Sequence, residues 1–305
     1  MLRFAVKRLI GAIPTLFLIV TFSFFLMRVA PGGPFDKERI VPPEIEARLI
    51  HAYHLDEPLP LQYLRYLSGL FQGDFGPSLK YKDFTVTELI AGGFPVSLRL
   101  GGIAVLLALV IGVATGTLAA LRQNSGTDYA AMGVAMTGIM IPNFVLAPLL
   151  TLVFGLWLSW LPVGGWGGVA YMILPVVALS LYQVGFIARL TRGSMIEVLR
   201  TNYVRTARAK GLPEHVAITR HALKAAMLPV VSYLGPAIIN TITGSVIIEQ
   251  IFGIPGIGRY FVQAALNRDY TLVMGVTVFY GVLIILANLA VDLIYGLLDP
   301  RIRYD

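Results

Sequence analysis

The sequence predicts an all-α polytopic membrane protein: six transmembrane helices with a small extracytoplasmic segment after the first. Composition is the first reason. Apolar residues make up 56% of the chain and charged residues only 13%, which excludes an ordinary soluble domain. Length of the apolar runs is the second. Leu9–Val29, Leu98–Leu121, Tyr129–Gly155, Met172–Leu190, Ala225–Ile248 and Leu272–Leu298 can each cross about 30 Å of hydrocarbon. Charge placement is the third. Basic residues gather at the ends of these runs, so the net charge of +7 reads as membrane topology and not as a nucleic-acid surface. The chain has no cysteine, which removes disulfides, thiol chemistry and thiolate metal sites.

The first run follows Arg3, Lys7 and Arg8, as in a signal peptide. Its core exceeds the roughly 7–15 apolar residues of a cleavable signal, and Pro31 follows Ala30 where cleavage would fall, so it reads as an uncleaved anchor. Orientation follows from the short loops. Arg122 follows span two, Arg301 and Arg303 follow span six, and Arg189, Arg192, Arg200, Arg205, Arg208, Lys210, Arg220 and Lys224 crowd between spans four and five. The short loops on the other side hold only Arg259 and Arg268. Both termini are therefore expected on the cytoplasmic side, with Ala30–Pro95 outside.

Within Ala30–Pro95, Pro42 and Pro43 introduce an amphipathic helix with Ile45, Leu49 and Tyr53 on one face. Leu61, Leu64, Leu67 and Phe71 suggest a second, and Gly73-Asp74-Phe75-Gly76-Pro77 breaks the chain. This piece is too small for an independent catalytic domain and is expected to lean on the membrane part. His51 and His54 lie on adjacent turns, but no further His or Cys stands nearby to complete a metal site, and they read as solvated or packed histidines.

Span two carries Ala108, Gly112, Gly116 and Ala120, small residues at every fourth position that let another helix approach closely. Pro14, Pro142, Pro148, Pro175, Pro229 and Pro236 fall inside spans. They fit a flexible bundle around a conduit and equally fit ordinary kinking. In span six Asn288 and Asp292 share a face. A carboxylate in a span is a functional candidate, yet Asp292 lies near the expected inner end, which favours a cap or interhelix bond. The stretch Phe252–Gly258 is glycine-rich but lacks the Gly-x-x-x-x-Gly-Lys-Ser/Thr pattern of a phosphate loop, as does the whole chain.

The working part is the basic loop Arg189–Lys224. On a helix, Ile196, Leu199, Tyr203 and Ala207 form an apolar stripe, with Glu197, Thr201, Arg205 and Arg208 on the opposite side. Gly211 supplies a left-handed stop, and Pro213 opens a second helix through His215 and His221 toward Leu228. Ala207 and Gly211 then present a small surface beside Tyr203 to a partner, with Arg205 and Arg208 meeting an acidic rim.

Several of these segments resemble one family. Arg192-Gly193-Ser194-Met195, Glu197-Val198-Leu199, Tyr203 through Leu212, His221-Ala222-Leu223-Lys224 and Met227-Leu228-Pro229-Val230 look like the cytoplasmic loop of ATP-binding cassette importer permeases. The closest group is the B-type permease of oligopeptide, dipeptide and nickel systems. Pro31-Gly32, Gln62-Tyr63-Leu64, Gly73-Asp74-Phe75-Gly76, Pro255-Gly256-Ile257-Gly258, Arg268-Asp269-Tyr270 and Asp299-Pro300-Arg301 extend the likeness over essentially the whole chain. Where the broader family has Glu-Ala-Ala-x-x-x-Gly, Arg205 and Thr206 replace the first two residues. Tyr81-Lys82-Asp83-Phe84, Phe94-Pro95-Val96-Ser97 and the short loop Trp157–Tyr171 resemble the oligopeptide member most.

The resemblance implies a type I importer permease in a bacterial inner membrane. Its parts would be a first helix (1–29), a periplasmic segment (30–95), a five-helix domain (96–298) with its coupling loop at 191–224, and a tail (299–305). It implies a second homologous permease, two ATP-binding subunits that carry ATP and magnesium, a periplasmic peptide-binding protein and a peptide cargo. Tyr203, Arg205, Ala207, Arg208 and Gly211 would couple to the ATPase. This chain would hold no catalytic residue, cofactor or metal. An intramembrane hydrolase would need a positioned Ser/His, Asp pair or metal cluster. A self-sufficient secondary transporter would want several buried ionisable groups and repeated halves. A basic anchor for anionic lipid explains the loop's charge but not its Gly211–Pro213 punctuation.

Overall fold

The computed structural model describes residues 2–29, 50–51 and 54–298, and the side chains of 2–5, 243–244 and 294–298 fall outside that description. In chain order the helices are α1 (Leu2–Val29), α2 (Leu59–Phe71), α3 (Val86–Leu121), α4 (Gly126–Met140), α5 (Asn143–Leu150) and α6 (Ala170–Leu199). They continue with α7 (Asn202–Ala209), α8 (Glu214–Val216), α9 (Leu223–Ala226), α10 (Leu228–Phe252), α11 (Ile257–Leu266) and α12 (Tyr270–Leu298). Among the described residues the only strand-like pairing is an isolated bridge between Pro77 and Thr85. The helix expected after Pro42 lies outside the described residues.

Five helices, α1, α3, α6, α10 and α12, are long and apolar enough to cross a membrane. Large apolar side chains along α1, such as Ile13, Phe22 and Leu26, are exposed, as a lipid-facing surface requires. The expected third span, Tyr129–Gly155, is not one helix. α4 and α5, which runs on as a π-helical stretch through Trp157, meet at a bend of 108°, and count as a sixth span only as a broken pair. The cause is Pro142. It holds Ile141 extended (φ −97°, ψ 117°) and restarts the helix by accepting hydrogen bonds from the Val145 and Leu146 amides.

Span two also differs from expectation, since its helix begins at Val86 and passes through Pro95 unbroken. A reciprocal capping box starts it early. The Thr85 amide donates to Glu88 Oε2 at 2.8 Å, and the Glu88 amide donates back to Thr85 Oγ1 at 3.2 Å. Val86, Leu89 and Ile90, all buried, then anchor this first turn.

The chain forms two compact units. One is built chiefly from Ser97–Ile254, the other from Val6–Val96 and Pro255–Leu286. In the second, Val86, Leu89 and Ile90 pack with Ile257, Ala264, Leu272 and Val276 in one core. The helix predicted over Leu61–Phe71 is present as α2 and seats Tyr63 and Tyr66 against Phe24 of α1. The break at Gly73–Pro77 is also present, with Gly73 and Gly76 at positive φ. Below it, Asp269 is fully buried and gathers the Ser78 hydroxyl and the amides of Leu79 and Lys80 (each 3.2 Å), while capping α12 through the Leu272 amide at 3.1 Å. His54 pairs with Glu57 at 3.1 Å.

The first unit holds the loop. In it α3 lies on α6 along the small-residue stripe. Ala108 is fully buried and Ala120 nearly so. A Cβ on Gly112 would stand 2.8 Å from Ile187, and one on Gly116 would collide with the Ala188 carbonyl. α4 meets α6 as closely, since a Cβ on Gly185 would lie 2.6 Å from the Ala135 carbonyl. The partner of the stripe, on which the sequence is silent, is therefore α6. Asp292 sits half-buried in α12.

Candidate functional site

The loop between spans four and five begins as a straight extension of α6, which runs to Leu199 where the sequence predicted a span ending at Leu190. Arg200 ends that helix, and Thr201, extended at ψ 153°, turns the chain into α7. The stripe expected from Ile196 through Ala207 is thus split between two helices. In α7 the inward residues are Val204, fully buried, and Ala207, at 6% exposure, while Tyr203 stands 47% exposed. The single-helix pattern put Tyr203 and Ala207 on one face; the turn at Arg200–Thr201 resets the helical phase, so Tyr203 faces out as expected and Ala207 faces in.

Val204 inserts into a small core made by Ala120, Met195, Ala222 and Ala226. α7 therefore rests on the ends of α3 and α6 and on the returning chain. Its outward surface is Tyr203, Arg205, Thr206, Arg208, Ala209 and Lys210, followed by Gly211 and Leu212, all exposed. Ala207, expected to face a partner together with Gly211, is turned inward.

The tip is closed as the sequence predicted. Gly211 adopts φ +78°, and its amide donates to the Arg208 carbonyl at 2.9 Å. Pro213 caps α8 by accepting the Val216 and Ala217 amides at 2.9 and 3.0 Å. The chain then returns through α8, a π-helical stretch over Ala217–Ala222, and α9.

Arg208 was expected to reach outward to an acidic rim. It instead donates two hydrogen bonds to Glu214, at 2.6 and 3.0 Å, which strap α7 to α8 across the Gly211 turn. These bonds push the Arg208 guanidinium pKa up, so it stays charged. Arg205 carries the outward charge of the helix, on its exposed face.

A second strap lies at the base of the loop, and the sequence reading passed over it. Arg192 of α6 donates from Nε and Nη2 to the two carboxylate oxygens of Asp128, at 2.7 and 2.6 Å. Asp128 is almost fully buried and also accepts the Asn124 amide at 2.9 Å. Its own amide donates to Ser125 Oγ, the N-cap of α4. Beside it, Arg200 Nη2 donates to Gln123 Oε1 at 3.2 Å. The available signal was Ser125-Gly126-Thr127-Asp128, a helix-start pattern next to a span end. The small core and the Arg208–Glu214 pair seat α7, with its charged face outward. It has no group arranged for bond chemistry.

Comparison with known proteins fits this construction. Residues 112–304 match the family of binding-protein-dependent transport system inner membrane components, and residues 1–101 match its N-terminal counterpart. The chain is 58% identical over 306 residues to the oligopeptide transport system permease protein OppB of Salmonella typhimurium, covering 100% of both chains. It is 46% identical to the dipeptide transport system permease protein DppB of Bacillus subtilis, covering 99% of this chain and 98% of that one. Among solved structures, the MetNI methionine ABC transporter aligns with a TM-score of 0.60 at 19% identity, over 69% of this chain and 96% of that chain. An amino acid ABC transporter aligns at 0.53 with 18% identity, over 71% and 95%. At those identities the likeness is one of fold. The full-length kinship and the two family matches leave one conclusion: the chain belongs to the binding-protein-dependent transport system inner membrane components, the membrane-spanning permease subunits of ABC importers.

Proposed function

We propose that this chain forms half of a translocation path for oligopeptides and that α7 is its contact with an ATPase. The observation that carries the reading is how α7 is seated, by the buried Val204 and the Arg208–Glu214 pair, on a loop whose base is tied by Arg192–Asp128. Arg192–Asp128 fixes the loop's base, Arg208–Glu214 fixes its tip, and Val204 fixes its inner face. A helix held this way moves with α3 and α6, so force applied at Tyr203, Arg205 and Gly211 passes into the spans.

In this reading α7 faces the cytoplasm, both termini lie inside, and the segment after α1 faces the periplasm of a bacterial inner membrane. The partners are a second homologous permease, two cytoplasmic ATP-binding subunits and a periplasmic peptide-binding protein. ATP and magnesium reside on the ATP-binding subunits. Closure of the ATPase pair draws the two coupling helices together, and the bundle exchanges an outward for an inward opening. The oligopeptide assignment rests on the names of the most similar relatives, with the dipeptide and nickel members of the same group as the other readings.

A strain lacking this chain tests the assignment. Uptake of tri- to pentapeptides is expected to disappear and to return with the chain supplied in trans. Retained oligopeptide uptake together with lost nickel or dipeptide uptake would overturn the cargo.

A further inference from the structure

The break in the third span opens a cavity of about 480 Å³ within the first unit, in the size range of roughly 300–1,000 Å³ common for ligand sites. Asn143, Tyr182, Gln183, Asn240 and Thr241 line it, and no charged side chain does. Gln183 lies close to the middle of α6, Asn240 at the middle of α10, and Asn143 directly after the break between α4 and α5. Each comes from a different span, and together they make one polar layer lining the cavity.

The hydrogen bonding of Gln183 and Asn143 is incomplete. Gln183 accepts the Tyr233 hydroxyl at 2.8 Å, while its own nitrogen reaches only the Ala237 carbonyl, at a long 3.4 Å. The buried Oδ1 of Asn143 has no hydrogen-bond partner. An unsatisfied acceptor at membrane depth weakens a fold, and leucine at that position would remove the cost. Pro142 adds to the layer's polarity by interrupting the helical ladder there.

On the reading that peptides are the cargo, we propose that Asn143, Gln183 and Asn240 form a recognition layer for the peptide main chain in transit. Every peptide unit brings one N–H donor and one C=O acceptor that lose water inside the bundle. A side-chain amide offers the complementary acceptor and donor together. Because no charged side chain lines it, a charged side chain of the cargo meets neither a like nor an opposite charge there. The layer therefore holds what all peptides share and ignores how they differ.

The test uses the complete transporter with its partner subunits in proteoliposomes. The substrates are trialanine and trialanine methylated at both internal amide nitrogens. Wild type is expected to take up the methylated peptide with a KM about tenfold higher, the effect of losing a hydrogen bond or two. Asn143→Leu and Gln183→Leu are expected to raise KM for trialanine and to narrow that discrimination. Asn143→Leu, which removes the orphan acceptor, is expected to match or exceed wild type in thermal unfolding, so its loss of transport is not a loss of fold. Discrimination and KM equal to wild type in both variants would overturn the layer while leaving peptide transport intact. Wild-type vesicles that take up no trialanine would instead overturn the reading of the cargo.

Discussion

Arg192 and Asp128 meet in a two-point ion pair, Nε and Nη2 on the two carboxylate oxygens at 2.7 and 2.6 Å, and so join α6 to the N-terminus of α4. Sixty-four residues separate them in sequence. Asp128 is buried, so removing Arg192 leaves its carboxylate uncompensated away from water, whereas Arg192 without Asp128 stays 28% exposed.

Asp128→Asn and Arg192→Gln are each expected to lower the thermal unfolding temperature of the purified complex. The double variant is expected to unfold above the sum of the two losses, because it strands no charge. Arg192→Lys keeps the charge but loses the planar fork, and is expected to fall between wild type and Arg192→Gln. Strictly additive losses in the double variant would show that the two residues act separately.

Gly211 at φ +78° has nothing within 4 Å of the position a Cβ would take. A substituent there strains the backbone without meeting its own chain. Gly211→Val is expected to cost about 1–2 kcal/mol through the left-handed conformation alone and to reach the membrane at near-normal levels. It is also expected to lose ATPase association or peptide-stimulated hydrolysis, with Gly211→Ala milder. Full transport by Gly211→Val would show that this turn is not part of the coupling contact. A plain lipid anchor would instead be insensitive to both changes and sensitive to joint neutralisation of Arg205 and Arg208.

Asp269 holds the Ser78–Lys80 turn against the start of α12. Asp269→Ala leaves the Leu79 and Leu272 amides without an acceptor, weakens the hold on the Lys80 amide, and is expected to cost about 2–4 kcal/mol. Ser78→Ala removes one donor to Asp269 and the Oγ that accepts the Lys80 and Tyr81 amides at 3.3 and 2.9 Å, and is expected to cost about 1–2 kcal/mol. Denaturant titration of the purified chain measures both. A loss from Asp269→Ala no larger than that from Ser78→Ala would mean that the carboxylate's bonds to the Leu79 and Leu272 amides contribute nothing.

Single cysteines test the topology, since the chain has none of its own. Ser78 is 2% exposed and a poor target, whereas Gln72 and Asn202 are both exposed. An impermeant reagent is expected to label Gln72→Cys from outside and Asn202→Cys only after the membrane is opened. Labelling of both in intact cells would reverse the proposed orientation of one of them.

The sequence by itself determined what depends on local chemistry. Apolar run length sets where helices lie, and the four-residue repeat of Ala108, Gly112, Gly116 and Ala120 marks a face of close approach. Gly211 followed by Pro213 punctuates the loop, because only glycine takes a left-handed backbone without strain. Tertiary structure decided what depends on phase and on distant partners. Hydropathy alone cannot tell a kink from a 108° break, so the bend at Pro142 was hidden inside an unbroken apolar run. A two-residue turn at Arg200–Thr201 resets the helical phase, and it is packing against Met195 and Ala222 that selects Val204 for the inside and leaves Tyr203 out. The partners of Arg192 and Asp269 lie 64 and 191 residues away. No local pattern encodes such a pair. It exists only once the helices that carry it have docked, because burial is what makes each carboxylate require its donors.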